Sequence, residues 1–239
     1  WNVTKLNSNG VQLWSYRADL GVTDIAYGVA VDSQDNIIVV GQAGNTNTDW
    51  NVTKLNPNGV QLWSYEVSLG ASDIAYGVAV DSLDNIIVVG RAAIADNSNW
   101  NVTKLNSNGN QLWSYKVDLG VTDIAYGVAV DSNDNIIVVG QDGITFDDDW
   151  NVTKLNSNGN QLWSYKVDLG DNDYARGVAV DSADNIIVVG TAYNANNDWN
   201  VTKLNSNGNQ LWSYEVNLGG NDEAYGVAVD SNDNIIVVG

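Results

Sequence analysis

Short apolar runs separated by polar, glycine-bearing turns recur along the whole chain in a fixed order. Trp1 to Asn7 alternates large and polar positions, Ser8-Asn9-Gly10 interrupts it, and Gln12 to Tyr16 resumes the alternation with aromatics. A period of two puts one face in and one face out, which is strand chemistry, and Asn-Gly between two such runs predicts a hairpin. In the second copy the turn reads Asn56-Pro57-Asn58-Gly59. Proline fixes φ at about −65° there and excludes a type I′ turn, so a type I turn followed by a left-handed glycine is expected. Two further runs, Ala26 to Asp32 and Asn36 to Gly41, are joined by Ser33-Gln34-Asp35 and are apolar or small on both faces. Strands of that kind must be covered on both sides.

The order then repeats. WNVTKLN begins at Trp1, Trp50, Trp100, Trp150 and Trp199, and each copy continues with QLWSY, GVAVDS and DNIIVVG, giving repeats 1–49, 50–99, 100–149, 150–198 and 199–239. Four short strands in a unit of this size match one propeller blade. The expected fold is therefore all-β: one domain, 1–239, a five-bladed β-propeller of four-stranded antiparallel blades. With GVAVDS innermost, the chain starts with the outer half of a blade and stops after the inner half. The N- and C-terminal strands are thus expected to share the last blade and close a monomeric ring, which would protect the edges.

Composition removes several classes of function. The formal net charge is −19, from 10 Lys plus Arg against 29 Asp plus Glu, which argues against nucleic acid or an anionic membrane as partner. No run approaches the roughly 18 apolar residues of a membrane-spanning helix. The lack of Cys excludes disulfides and thiol chemistry, and the lack of His removes the commonest general base. The absence of Met, at the first position as elsewhere, leads us to expect a processed or excised piece of a longer product.

The blocks Val201 to Asn205, Gly208, Leu218-Gly219-Gly220, Asp222 to Asp230 and Asn234 to Gly239 resemble the bacterial and archaeal β-propeller repeat called SBBP. The resemblance extends over all five copies, with Asp233-Asn234 where the family usually has Gly-Asn. The family name refers to seven blades, two more than expected here. Its members are commonly parts of secreted or surface-attached proteins, which implies an extracellular or cell-surface location.

Differences among copies mark where to look for a site. The tight turns barely vary, whereas Gln42 to Asp49, Arg91 to Asn99, Gln141 to Asp149 and Thr191 to Asp198 share little. In a four-stranded meander these segments and the crossings between blades lie on one face. Either relaxed constraint or a binding face on a rigid ring explains the pattern. On that face Tyr27, Tyr76, Tyr126 and Tyr225 open the inner strand of four copies, and the remaining copy has Arg176, with Tyr174 two residues before it. A guanidinium among tyrosines suits a carboxylate or a sugar; pairing with Asp173 or Asp171 is the structural alternative.

Phe146-Asp147-Asp148-Asp149 is the candidate cation site, calcium being the ion its carboxylates would suit. Asp131-Ser132-Asn133-Asp134-Asn135 lacks the glycine and the downstream glutamate of a calcium loop and reads as an Asx turn. Asn2-Val3-Thr4 matches a glycosylation acceptor but recurs on a strand, and Trp1 and Trp14 with their copies read as filler between sheets.

Catalysis is not expected. Asp32, Asp81, Asp131, Asp181 and Asp230 repeat identically, and equivalent carboxylates do not readily take the unlike pKa values that acid and base roles need. The expected function is a noncatalytic extracellular scaffold for protein interaction or structural spacing, with any recognition on the long-loop face. A multivalent carbohydrate-binding lectin is the alternative. The expected partner is a protein or a glycan, with no nucleic acid and no membrane insertion.

Overall fold

The computed structural model describes residues 1–239 apart from 45–46, 71, 95–96, 145–146, 171, 194–196 and 218, and apart from the side chains of 94, 144, 147 and 197. Every described element is a strand. The chain runs β1 (Asn2–Leu6), β2 (Gln12–Arg17), β3 (Ile25–Val31), β4 (Ile37–Ala43), β5 (Asp49–Leu55), β6 (Gln61–Val67), β7 (Ile74–Val80), β8 (Ile86–Ile94), β9 (Asn97–Leu105) and β10 (Gln111–Val117). It continues with β11 (Ile124–Val130), β12 (Ile136–Ile144), β13 (Asp147–Leu155), β14 (Gln161–Val167), β15 (Tyr174–Val180), β16 (Ile186–Tyr193), β17 (Asn197–Leu204), β18 (Gln210–Val216), β19 (Gly226–Val229) and β20 (Ile235–Val238).

Four antiparallel meanders, β3–β6, β7–β10, β11–β14 and β15–β18, form complete blades, flanked by the two-stranded sheets β1–β2 and β19–β20. This is the expected all-β propeller architecture, with GVAV innermost. The two terminal half-blades stand as separate sheets.

Sequence periodicity explains the packing. β4, β5 and their copies are buried on both faces because a neighbouring blade lies against each. Ile38, Val40, Trp50 and Val52 of one blade pack on Ala75, Ile86, Val88 and Leu105 of the next, and the same cluster recurs one and two blades further on. Trp50, Trp100 and Trp150 are fully buried, as filler between wedge-shaped sheets should be. The inner strands approach closely because they carry glycine: a Cβ built on Gly77 would stand 3.0 Å from the carbonyl oxygen of Tyr126.

The β5–β6 turn has the expected chemistry. Asn56 Oδ1 accepts the N–H groups of Asn58 and Val60, and Gly59 takes φ 81°. Space requires glycine there too, since a Cβ would lie 2.8 Å from the Trp14 ring of the preceding half-blade. At the other tight turn Asp32 accepts the N–H groups of Gln34 and Asn36, as an Asx turn does. The long loops are shorter than the variable sequence suggests: β8 runs to Ile94 and β9 starts at Asn97, so strand pairing carries on through most of the divergent segment.

Polar contacts between blades repeat as regularly as apolar ones. Lys54 forms a buried 2.8 Å ion pair with Asp32 of its own blade and donates to the Ser107 carbonyl of the next. Lys104, Lys154 and Lys203 make the same ion pair with Asp81, Asp131 and Asp181, each at 2.7 Å. Indole N–H groups of Trp14, Trp63, Trp113 and Trp163 reach carbonyls of the following blade. Hydroxyls of Tyr16, Tyr65, Tyr115 and Tyr165 donate to Gln61, Gln111, Gln161 and Gln210.

Candidate functional site

A β-bulge re-aims the side chain at the start of each inner strand. Pairing of β7 with β8 skips one residue between Ala75 and Gly77, and the corresponding skips fall at Tyr27, Tyr126 and Arg176 in the other complete blades. An extra residue in one strand is free of the ladder and its side chain is re-aimed. The result is a stack across blades. Tyr27 and Tyr76 have ring centroids 5.1 Å apart, and Tyr76 and Tyr126 are 5.4 Å apart. The Arg176 guanidinium lies 5.1 Å from the Tyr126 ring centre, 5.1 Å from that of Tyr174 and 5.4 Å from that of Tyr225. All six predicted channel residues therefore belong to one row.

Arg176 does not pair with Asp173. That carboxylate is fully buried, accepting backbone N–H groups from Leu169 and Tyr193, and Asp171 lies outside the described residues. The ion partner of Arg176 is Glu223 of the next half-blade, at 3.6 Å, and Glu223 also accepts the Tyr225 hydroxyl at 2.6 Å. On the other side Tyr126 donates to Gln141 at 2.8 Å, and Gln141 donates to Asp148 at 3.1 Å. Burial pushes the Tyr126 phenol up to about 12 despite the opposing charge of Arg176, so it remains a neutral donor.

Arg91 was not among the residues singled out in the sequence. It follows the IIVVG block at a position that reads Gln42, Gln141 and Thr191 in the other complete blades, and β-register sets it opposite Ile74, beside the bulged Tyr76. Its charge and that of Arg176 both act on the Tyr76 phenol, against the dominant effect of burial. Arg91 Nε and Arg176 Nε are buried without a hydrogen-bond partner among the described residues. Two guanidiniums with spare donors thus border one aromatic row.

Asp148 and Asp149, the described side chains of the acidic run at the β12–β13 connection, do not converge. Phe146 and the side chain of Asp147 lie outside what is described; Asp148 and Asp149 sit on a strand, so they point to opposite faces. Asp148 bonds Gln141 on the channel side. Asp149 is ion-paired with Lys166 at 2.7 Å, and Lys166 also reaches Asp142 at 3.2 Å. Oxygen atoms of Asp149, Asp168 and Asp173 do lie within 4.8 Å of one another. The carboxylates that meet are thus drawn from β13 and from the β14–β15 crossing, and only Asp149 belongs to the expected trio.

The repeated aspartates at the foot of the inner strands are structural. Burial works to raise Asp32, but hydrogen bonds from Lys54 and Asn36 hold it below the ordinary carboxylate range, and Asp181 is brought to about 2 in the same way. The buried crossing aspartates go the other way: burial pushes Asp123 and Asp173 to about 6, against the backbone N–H groups they accept.

A family described as "Domain of unknown function (DUF5122) beta-propeller" matches residues 34–61 and 183–210, the two central strands of a blade with their tight turns. Together with the solved structures below, this supports a β-propeller repeat family. No curated protein matches the chain. A periplasmic gluconolactonase of Pseudomonas aeruginosa is similar in structure, with TM-score 0.62 and 10% identity over 99% of this chain and 71% of that one. A protein of unknown function from Dyadobacter fermentans is similar with TM-score 0.60 and 9% identity, over 89% of this chain and 74% of that one. At such identities the likeness is one of fold.

These findings correct the expected noncatalytic scaffold. A chain of similar fold is a gluconolactonase, so the propeller fold is no argument against an enzyme. The physical reason lies in the choice of carboxylates. Four of the five used to exclude catalysis, Asp32, Asp81, Asp131 and Asp181, are tied up in lysine pairs, whereas burial pushes Asp123 and Asp173 up to about 6, so carboxylates at different repeat positions stand in unlike states.

Proposed function

We propose that this protein binds a small polyhydroxylated carboxylate, of the aldonic acid class, or its lactone at the mouth of the central channel. The observation that carries the reading is the pair Arg91 and Arg176, each with a buried Nε donor left unpartnered beside the tyrosine row. A carboxylate accepts from a guanidinium through two parallel bonds, and tyrosine faces and hydroxyls suit the rest of a sugar acid. The other named charges, Asp148 and Glu223, flank the row and would accept from ligand hydroxyls. A periplasmic setting, as named for the Pseudomonas lactonase, is part of this reading.

Calorimetric titration with gluconate, glucono-lactone and glucose tests the reading. Gluconate should bind, Arg176→Tyr should weaken it at least about tenfold, the loss of one charge-assisted contact, and Arg91→Gln should weaken it as well. Glucose should not distinguish the proteins. Equal gluconate heats from wild type and both variants would remove the channel mouth from consideration. Base uptake in the lactone titration reports hydrolysis separately from binding.

A further inference from the structure

Two departures from the repeat meet in space. Arg176 stands at a position that is tyrosine in the other four copies, and Glu223 at one that is isoleucine in the first three, Ile25, Ile74 and Ile124. They lie at the same end of consecutive inner segments, where β15 packs against β19. Either change alone would set one unmatched charge beside the aromatic row; together they place a guanidinium and a carboxylate 3.6 Å apart.

The pair is loose. The 3.6 Å run from Arg176 Nη2 to Glu223 Oε2 and exceed a hydrogen bond, while the same oxygen accepts the Tyr225 hydroxyl at 2.6 Å. Arg176 Nε, which shares with Nη2 the edge that takes a carboxylate through two parallel bonds, is buried without a partner among the described residues. Rings of Tyr126, Tyr174 and Tyr225 surround the guanidinium. Its Nε–Nη2 edge is therefore attended by Glu223 but not bonded by it.

A ligand carboxylate on that edge must face Glu223. With an oxygen about 2.8 Å from Nη2 it stands no more than about 6.4 Å from Glu223 Oε2, within the roughly 8 Å over which physiological salt leaves charges unscreened. Like charges at that distance beside a partly buried side chain repel by about a factor of ten in affinity. A lactone offers the guanidinium a carbonyl oxygen with no net charge and escapes that penalty. Glu223 accepts from a ligand hydroxyl equally in both forms, so what separates them is the charge it presents.

We propose that Glu223 is the specificity-determining residue of this site, setting it against the open-chain aldonate and in favour of the neutral lactone, an inference that rests on the channel-mouth reading above. The aldonate must contest Arg176 with a carboxylate already beside it; the lactone need not.

Calorimetry with gluconate and with gluconamide, a neutral analogue that keeps the hydroxyls and does not open or close, tests this. Glu223→Gln keeps the size of the side chain and an oxygen for Tyr225; it should tighten gluconate about tenfold and change gluconamide by less than about threefold. Glu223→Ile, the residue of the first three copies, should act in the same direction, which separates lost charge from a rearranged glutamine. In an Arg176→Tyr background the gain from Glu223→Gln should fall below about threefold, because no guanidinium is left for two carboxylates to contest. Gluconate binding that is equal or weaker in Glu223→Gln, or a gain that gluconamide shares, would overturn the inference and leave the channel mouth as the binding site. A gain that persists undiminished with Arg176→Tyr would mark a general effect of charge and overturn it as well. No gluconate heat from any of the proteins would overturn the channel-mouth reading, and this inference with it.

Discussion

Asp84 clamps Ser33 of the preceding blade with both carboxylate oxygens: Oδ1 accepts the Ser33 N–H at 2.9 Å and Oδ2 its hydroxyl at 2.7 Å. It does so from φ 60°, a left-handed conformation that its copies Asp35, Asp134, Asp184 and Asp233 share. This is where the chain departs from the Gly-Asn of the repeat it resembles. Glycine would sit in that conformation without strain; aspartate accepts a modest cost and gains charge-assisted bonds to the next blade.

Replacing Asp84 by Gly should therefore destabilise the protein in spite of relieving the backbone. Two bonds to a charged acceptor at a half-buried site outweigh a left-handed penalty of roughly 1 kcal/mol, and a net loss of about 1 kcal/mol is expected. Asp84→Ala, which loses the clamp and keeps the strain, should cost more. Urea unfolding of both variants gives the ranking; a glycine variant more stable than wild type would show that the clamp contributes nothing.

Trp100, Lys104 and Asp81 were legible as repeat positions but not as a pair of opposite charges in the core. The repeat length and the period of two sufficed for the blade, its inner strand and its turns, because all of these are local. The Lys104–Asp81 pair joins β9 to the turn after β7, two strands apart, and no local pattern reports it. Arg91 escaped for the same reason, since its place beside Tyr76 depends on a cross-strand register and a bulge. Asp148 and Asp149 are adjacent in sequence yet face opposite ways, because adjacency in a loop and adjacency on a strand are opposite things: the pleat separates neighbours.

Lys104→Met should be among the most damaging single changes in the chain. It strands the Asp81 carboxylate, whose low pKa, opposed by burial, is held down by Lys104 and Asn85. Removing one partner of a buried pair typically costs about 3–5 kcal/mol. The double variant Lys104→Met/Asp81→Leu should recover most of that loss, because two apolar groups need no charge compensation. Chemical unfolding of the wild type, both single variants and the double variant completes the cycle. A double variant no better than Lys104→Met would mean that the Lys104 contact to the Ser157 carbonyl, rather than the ion pair, carries the stability.

Arg176→Tyr should leave stability within about 1 kcal/mol of wild type. The guanidinium gives up contacts to three rings worth roughly 0.5–1 kcal/mol each when exposed, and a tyrosine would restore the stacking seen between Tyr76 and Tyr126. Its 3.6 Å contact to a partly exposed Glu223 adds little. A thermal melt checks this, and a drop well beyond that range would make Arg176 a structural residue.

Acidification from neutral pH should first stabilise the protein and then unfold it. Burial raises Asp123 and Asp173 to about 6, above an unfolded value of 3.8, so between those limits the folded state holds more protons than the unfolded one. Stability then rises as pH falls, and Asp73, shifted in the same direction by burial, adds to the effect. At about two pKa units each, Asp123 and Asp173 contribute on the order of 2 kcal/mol apiece by pH 4. The lysine-paired aspartates have the opposite sign. Asp32, Asp81 and Asp131 titrate below 3.8 and Asp181 at about 2, so their contribution is complete above the unfolded value and lost as pH falls through the folded ones. The melting temperature should thus climb from pH 7 to about 5, peak near 4 and collapse toward 2. Relief of the −19 net charge acts in the same direction, so the assignment needs a variant. Asp123→Asn should reduce the slope between pH 7 and 5 whatever it does to the melting temperature at either end, and an unchanged slope would show that global charge, not the buried crossing aspartates, produces the rise.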